Sequence, residues 1–342
     1  MLAPWFRAAL LGFFTVAIAG CPSGNTGGEG GTKSVELLNV SYDPTRELWR
    51  DLNKAFSIDY QHKTGTVVTI KQSHGGSGSQ ARAVIDGLQA DVATLALFSD
   101  TDALREKKLI PEKWEERLPN RALPYLSTIV FVVRKGNPKQ ISDWSDLIKE
   151  GIEVVTPSPQ TSGNGKLSFL AAWGNVRKNG GSDSDAEEFI RKLYRNVKVL
   201  DTGARGATVT FAQRNKGDVH LTWENEAYLE VEESKGALEI VYPKSSIRAE
   251  PHVTVVDANV DAKKTRAAAE AYLQFLYTDE GQEIIAKHYY RPSKPEIEAK
   301  HRDKFKAIEL FPITSFVSSW GEAQTRFFDD GGVFDRIYGK KK

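Results

Sequence analysis

The sequence predicts an α/β protein of two lobes, each a mostly parallel sheet flanked by helices, with a ligand cleft between the lobes. Three observations carry that prediction. Strand-like and helix-like segments alternate in two successive stretches, the pattern of parallel sheets covered on both faces. Three Gly/Ser-rich loops each join a strand-like run to a helix-like one. The chain has 342 residues, too many for one ordinary domain and suited to two.

Residues 1–20 hold Arg7, an apolar run over 8–19 and then Gly20, the layout of an export signal with a small-residue cleavage site. Cys21 is the only cysteine, so an internal disulfide framework and a multi-cysteine metal site are excluded. The ending Ile18-Ala-Gly-Cys21 resembles the lipobox of bacterial lipoproteins, which implies lipidation of Cys21. Residues 22–33 are Gly-rich and polar and read as a flexible tether, with the body starting near Ser34. The apolar run is short for a bilayer and no other long apolar segment follows. The expectation is a protein at work outside the cytoplasm, soluble apart from its anchor.

Val35-Glu-Leu-Leu-Asn-Val40 reads as a buried first strand, and Asp43 before Pro44 as the N-cap of a helix whose inner face is Leu48, Leu52, Ala55 and Phe56. Val67-Val-Thr-Ile-Lys71 is a second strand. The loop Gln72-Ser-His-Gly-Gly-Ser-Gly-Ser79 follows it, and Ala81, Val84, Ile85 and Leu88 then recur at helical spacing. Residues 91–97 and the continuous apolar run 129–133 are further strands.

A second alternation runs from there to residue 242. A short helix is expected at 144–149. Strand 152–155 leads through Thr156-Pro-Ser-Pro-Gln-Thr-Ser-Gly-Asn-Gly-Lys166 to a helix, and Ala186, Phe189, Ile190, Leu193 and Tyr194 mark another. Strand 197–200 precedes Asp201-Thr-Gly-Ala-Arg-Gly206 and a weaker helical pattern over 207–213. Val219-His-Leu-Thr-Trp223 ends a strand on an indole, and Glu224-Asn-Glu226 opens a helix. After strand 252–256, one long helix over 262–277 is expected where the chain returns to the first lobe. The lobes are thus predicted as 34–135 with 246–290, and 136–245, with 291–342 an aromatic-rich extension packed on them.

The first turn of a helix carries unpaired N–H groups and partial positive charge, and glycines such as Gly76 let a ligand approach the main chain. Three such turns predict convergence on one anion. The formal net charge of +1, with scattered Lys and Arg, excludes nucleic acid as the main partner. The basic run 340–342 reads as a solvated terminus. No Walker-type loop occurs, and the histidines show no paired spacing for zinc, so no cofactor or metal is expected. An extracytoplasmic hydrolase is the rival: His74 precedes Gly75-Gly76, but Ser77 lacks the Gly-x-Ser-x-Gly frame.

Leu37-Leu-Asn-Val-Ser-Tyr-Asp-Pro-Thr-Arg-Glu47, Gln72-Ser-His-Gly-Gly-Ser-Gly78, Gly203-Ala-Arg-Gly206, Trp223-Glu-Asn-Glu-Ala227 and Glu280-Gly-Gln-Glu-Ile-Ile-Ala286 resemble the bacterial sulfate-binding proteins that serve ABC importers. The resemblance runs from Val35 to Tyr338. It implies a periplasmic-binding-protein fold of the second type and a monomeric, non-enzymatic receptor that hands sulfate or thiosulfate to a membrane permease. It also implies ligand donors at Ser77, Ser162, Gly163, Asn164, Ala204 and Trp223. Most of these act through backbone N–H, with the Ser162 hydroxyl and the Trp223 indole added. The family commonly has glycine where Asn164 stands.

Asp43 is read either as a plain helix cap or also as an acceptor that orders the first loop. Arg205 either adds positive potential or is a solvated surface group. Sulfate at neutral pH carries no proton and offers only acceptors, so a site of N–H and O–H donors suits it better than hydrogen phosphate, whose proton needs an acceptor. Phosphate and molybdate remain the alternative ligands, and sulfate against thiosulfate stays open.

Overall fold

The computed structural model describes residues 33–339. The expected export signal, Cys21, residues 22–32 of the tether and the basic terminus lie outside them. Strands β1 (Ser34–Tyr42), β2 (Val67–Gly75) and β3 (Val92–Leu95) alternate with helices α1 (Arg46–Thr64), α2 (Ser77–Ile85) and α3 (Phe98–Glu106). A short turn α4 (Pro119–Ala122) and the strand β4 (Tyr125–Leu126) lead to β5 (Ile129–Arg134). Then come β6 (Val154–Pro157), α5 (Gly163–Lys178), α6 (Asp183–Asn196), β7 (Val197–Asp201), α7 (Ala204–Thr208), β8 (Val219–Trp223), α8 (Glu224–Glu233) and β9 (Leu238–Val241). After β10 (Ser245–Ile247) and β11 (His252–Val255) follow α9 (Asp257–Lys263), α10 (Arg266–Phe275) and α11 (Asp279–Lys287). The chain ends through β12 (Arg291–Pro292), α12 (Pro295–Lys300), β13 (Glu309–Phe311), α13 (Trp320–Ala323) and α14 (Val333–Tyr338).

Two sheets organise these elements, a four-stranded one in the order β11-β3-β1-β2 and a five-stranded one in the order β7-β6-β8-β5-β9. The first is parallel except for β11, which runs antiparallel to β3. The second is evenly mixed: β6 is parallel to β7 and β8, whereas β5 is antiparallel to β8 and β9. Strand β5 joins the second sheet, so the first crossing falls ahead of Ile129 rather than at the expected residue 135. Strand β11 brings the chain back to the first sheet. The two crossing segments run side by side, with Ser127 and Ala249 exchanging backbone hydrogen bonds of 3.1 and 2.9 Å.

Apolar runs without polar alternation arise because both faces of these sheets are covered. Ile129, Phe131 and Val133 of β5 join one core, while Val130 and Val132 join the core on the opposite face. In the first sheet Leu37 packs with α1 and α10 through Trp49, Phe56 and Tyr272, and Val40 faces the α2 and α3 side with Val84 and Leu104. The C-terminal segment crosses once more. Strand β12 pairs with β4, β13 pairs with β10, and Phe327, Phe328 and Phe334 pack around Phe169 of α5.

Two local expectations are corrected. Asp43 is not an N-cap: Tyr42 holds the cap position of a 3-10 turn at Asp43–Thr45, and no side-chain cap bond is made. The carboxylate of Asp43 instead accepts from Arg46 at 2.7 Å. The long helix over 262–277 is two helices, because Lys264 takes a left-handed φ of 59° between α9 and α10. A β-branched Thr265 follows there, and alanine content alone does not reveal the break.

Candidate functional site

Each expected loop leaves the C-terminal end of a strand and opens a helix, the place where open α/β sheets hold ligands. Strand β2 runs to Gly75, so Gly76 alone separates it from α2, whose first residue is Ser77. Ser162 caps α5, which makes Gly163 and Asn164 its first two residues, and Gly203 precedes Ala204, the first residue of α7. All six expected donors line one small void, together with Tyr42, Asp43, Pro44, Gly75 and Gly76. The six are buried, with Trp223 at 0% exposure.

The free hydrogen-bonding capacity of these residues is specific. First-turn N–H groups have no partner inside their own helix. The Ser162 N–H is already used, since it donates to the Ser158 carbonyl at 2.9 Å. Only the Ser162 hydroxyl is left to donate, its oxygen accepting from the Gly165 N–H at 3.5 Å. The Ser77 oxygen accepts from the Ala96 N–H at 3.0 Å, which joins the first loop to the end of β3. The Trp223 indole N–H is buried without a partner, its ring 5.1 Å from that of Tyr42. A buried unpaired donor costs about 1–3 kcal/mol, so an acceptor in the void relieves a standing penalty.

Two glycines do more than admit a ligand. A Cβ on Gly163 would stand 2.6 Å from the Ala96 Cβ of the first lobe, and one on Gly76 would collide with the Thr161 carbonyl of the second. Here the missing side chain lets the loops of the two sheets touch across the void. Residues joining the sheets also include Lys166 of α5, 3.2 Å from Asp100 of α3.

Charges surround the void but are matched with one another. Asp43, the one ionisable carboxylate in its lining, is held by Arg46. Arg205 does not line it: the guanidinium bonds Glu47 at 3.0 Å and Glu226 at 3.2 Å, a clasp between α1, α7 and α8. Burial pushes the Glu226 carboxyl up to about 8; Arg205 works against this, and Glu230, Glu47 and Asp43 add to it. His74 bonds Gln72 at 2.6 Å and the Tyr42 carbonyl at 3.4 Å, and burial holds its imidazole below the usual range. Among the described residues no hydrogen bond links a histidine to Ser77, and no group of three His, Cys, Asp or Glu side chains is placed to hold a metal ion.

Sequence reasoning missed Tyr42, Pro44 and Gly75 as lining. Tyr42 and Pro44 sit in a segment read for its helix start, and Gly75 in the first glycine loop. The Lys166–Asp100 contact had no local signal at all.

The model of the bacterial extracellular solute-binding protein family matches residues 38–291. The chain is 53% identical to the sulfate-binding protein of Escherichia coli, over 89% of this chain and 93% of that one. It is 51% identical to the thiosulfate-binding protein of Pseudomonas aeruginosa, over 88% and 92%. Among solved structures, the sulfate-binding protein SubI from Mycobacterium tuberculosis aligns with a TM-score of 0.78 and 31% identity, covering 86% of this chain and 99% of that one.

Proposed function

The chain belongs to the bacterial extracellular solute-binding protein family, and from that premise we propose that it captures sulfate for an ABC importer. The observation that carries the reading is the single void on which three separate helix starts and a partnerless indole N–H converge. Fully ionised sulfate has acceptors on every side and matches a lining rich in neutral donors. Each helix start contributes about 0.3–1 kcal/mol to an anion when exposed and up to about 2 when partly buried. Asp43, pinned by Arg46, leaves little free negative charge facing the ligand. Ligand capture by Ser77, Ser162, Gly163, Asn164, Ala204 and Trp223, with Gly76 and Asp43 supporting, is part of this proposal. Arg205 acts from outside the void by clasping the two lobes.

Thiosulfate is the second ligand, supported by the high identity to a thiosulfate-binding protein. The protein carries out no chemistry on either anion and works as a monomer that passes its cargo to a permease. We place it on the extracytoplasmic face of a membrane, anchored through a lipid on Cys21 after cleavage behind Gly20. Loss of labelled fatty acid from a Cys21→Ser variant tests the anchor; retention of label defeats it.

Tryptophan fluorescence titration with sulfate, thiosulfate, molybdate and phosphate tests the ligand. Sulfate saturates the signal at the lowest concentration, and phosphate binding as tight as sulfate overturns the proposal. Trp223→Phe removes one donor to a charged ligand and weakens sulfate about tenfold to hundredfold, read by calorimetry.

A further inference from the structure

Strands β6 and β8 lie parallel, with Val154 opposite Val219 and Val155 opposite His220. The pairing stops there although the strands run on to Pro157 and Trp223. The Val219 N–H donates to the Glu153 carbonyl at 3.3 Å, so the odd-numbered residues of β8 turn their polar groups toward β6. One step further along, that ladder calls for the N–H of residue 157 at the carbonyl of Leu221. Residue 157 is proline and has no N–H.

A side chain meets the vacant acceptor. Asn164, in the first turn of α5, donates from Nδ2 to the Leu221 carbonyl at 3.0 Å in a buried contact. This bond sets the sense of the amide, since the reversed amide would bring two acceptors together. Its Oδ1 is left buried without a partner. Leu221 stands two residues before Trp223 on the same strand, and Gly163 and Asn164 open α5. One side-chain bond therefore ties the main-chain donors of α5 to the strand that presents the indole.

We infer that Asn164 is a positioning residue whose carboxamide sets the spacing between the α5 donors and the Trp223 indole, and so the size of oxyanion the void accepts. The inference rests on the oxyanion reading above. A small void with a fixed gap between these walls favours the smaller of two tetrahedral dianions. Released from Leu221, the first turn of α5 and the end of β8 are free to part, and the larger dianion gains relative to the smaller.

Calorimetric titration with sulfate and with selenate, a larger tetrahedral dianion, tests this on the wild type and on Asn164→Ala. Loss of the bond weakens sulfate about tenfold and selenate less than about twofold, so the ratio of the two dissociation constants moves at least about fivefold. Pro157→Ala combined with Asn164→Ala returns an N–H to position 157 and recovers most of that ratio. Asn164→Gly carries the same expectation where the alanine variant does not fold. A ratio unchanged in the single variants overturns the inference, as does a double variant without recovery, which would assign the effect to side-chain volume. In either case wild-type sulfate binding leaves the oxyanion reading standing; a wild type that binds neither anion removes both.

Discussion

At the scale of single residues, the candidate site separates groups that touch the void from groups that act behind it. Ser162 keeps only its hydroxyl free, because its N–H is spent on Ser158. Trp223 keeps its indole N–H free because no acceptor among the described residues reaches it. Behind them, Arg205 is shared between Glu47 and Glu226; burial, with Glu230 and Glu47 adding to it against Arg205, keeps Glu226 protonated near neutrality. Its folded pKa of about 8 lies above the unfolded value, so the folded state holds the extra proton. The stabilisation is complete below the unfolded value and fades as pH rises toward about 8. Glu226→Gln keeps the neutral form at every pH. Its melting temperature accordingly falls less than that of the wild type between about pH 5 and 8; parallel melting curves for the two proteins would show that Glu226 does not titrate there.

At the scale of elements, each loop–helix unit repeats one arrangement: a strand end, a close turn, and a helix whose first residues line the void. The turns differ in what they add. Thr161 donates its hydroxyl to the Thr202 carbonyl at 2.8 Å and couples the second loop to the third. Helix α5 is held from behind by the C-terminal segment, whose Phe327, Phe328 and Phe334 pack against Phe169 together with Trp173 of α5 and Tyr194 of α6. The same segment reaches the starting turn, where Lys166 donates to Gln324 at 2.9 Å. Phe169→Ala should cost about 3–5 kcal/mol in urea unfolding, as for other fully buried aromatic side chains. A loss below about 1 kcal/mol would mean that the extension does not brace α5.

At the scale of the whole molecule, the two sheets are joined by adjacent crossing strands on one side and meet through loops on the other. The Gly76 and Gly163 contacts, the Lys166–Asp100 pair and the Arg205–Glu47 bond all span from one sheet's helices to the other's. With the ligand buried in the void, entry and exit require these contacts to part. The expected behaviour is an open form in the absence of anion and a compact one with it. Sulfate at a hundred times its dissociation constant should add about 2.7 kcal/mol of stability and reduce the radius of gyration in X-ray scattering. Stabilisation without any change of radius would point to an anion entering a lobe pair that stays shut.

The chain's own pattern determined the α/β class, the order of its strands and the three glycine-bearing turns, because periodicity and turn chemistry are local properties read over a few residues. The six candidate donors came from the family resemblance rather than from pattern alone. What it left undecided needed distant parts of the chain to meet. The side on which β5 pairs, the match of Arg205 with two carboxylates, the use of the Ser162 N–H and the substitution of Asn164 for the amide Pro157 lacks all depend on neighbours far along the sequence. Only folding brings those partners within hydrogen-bonding distance, and a void between two sheets exists only once both are in place.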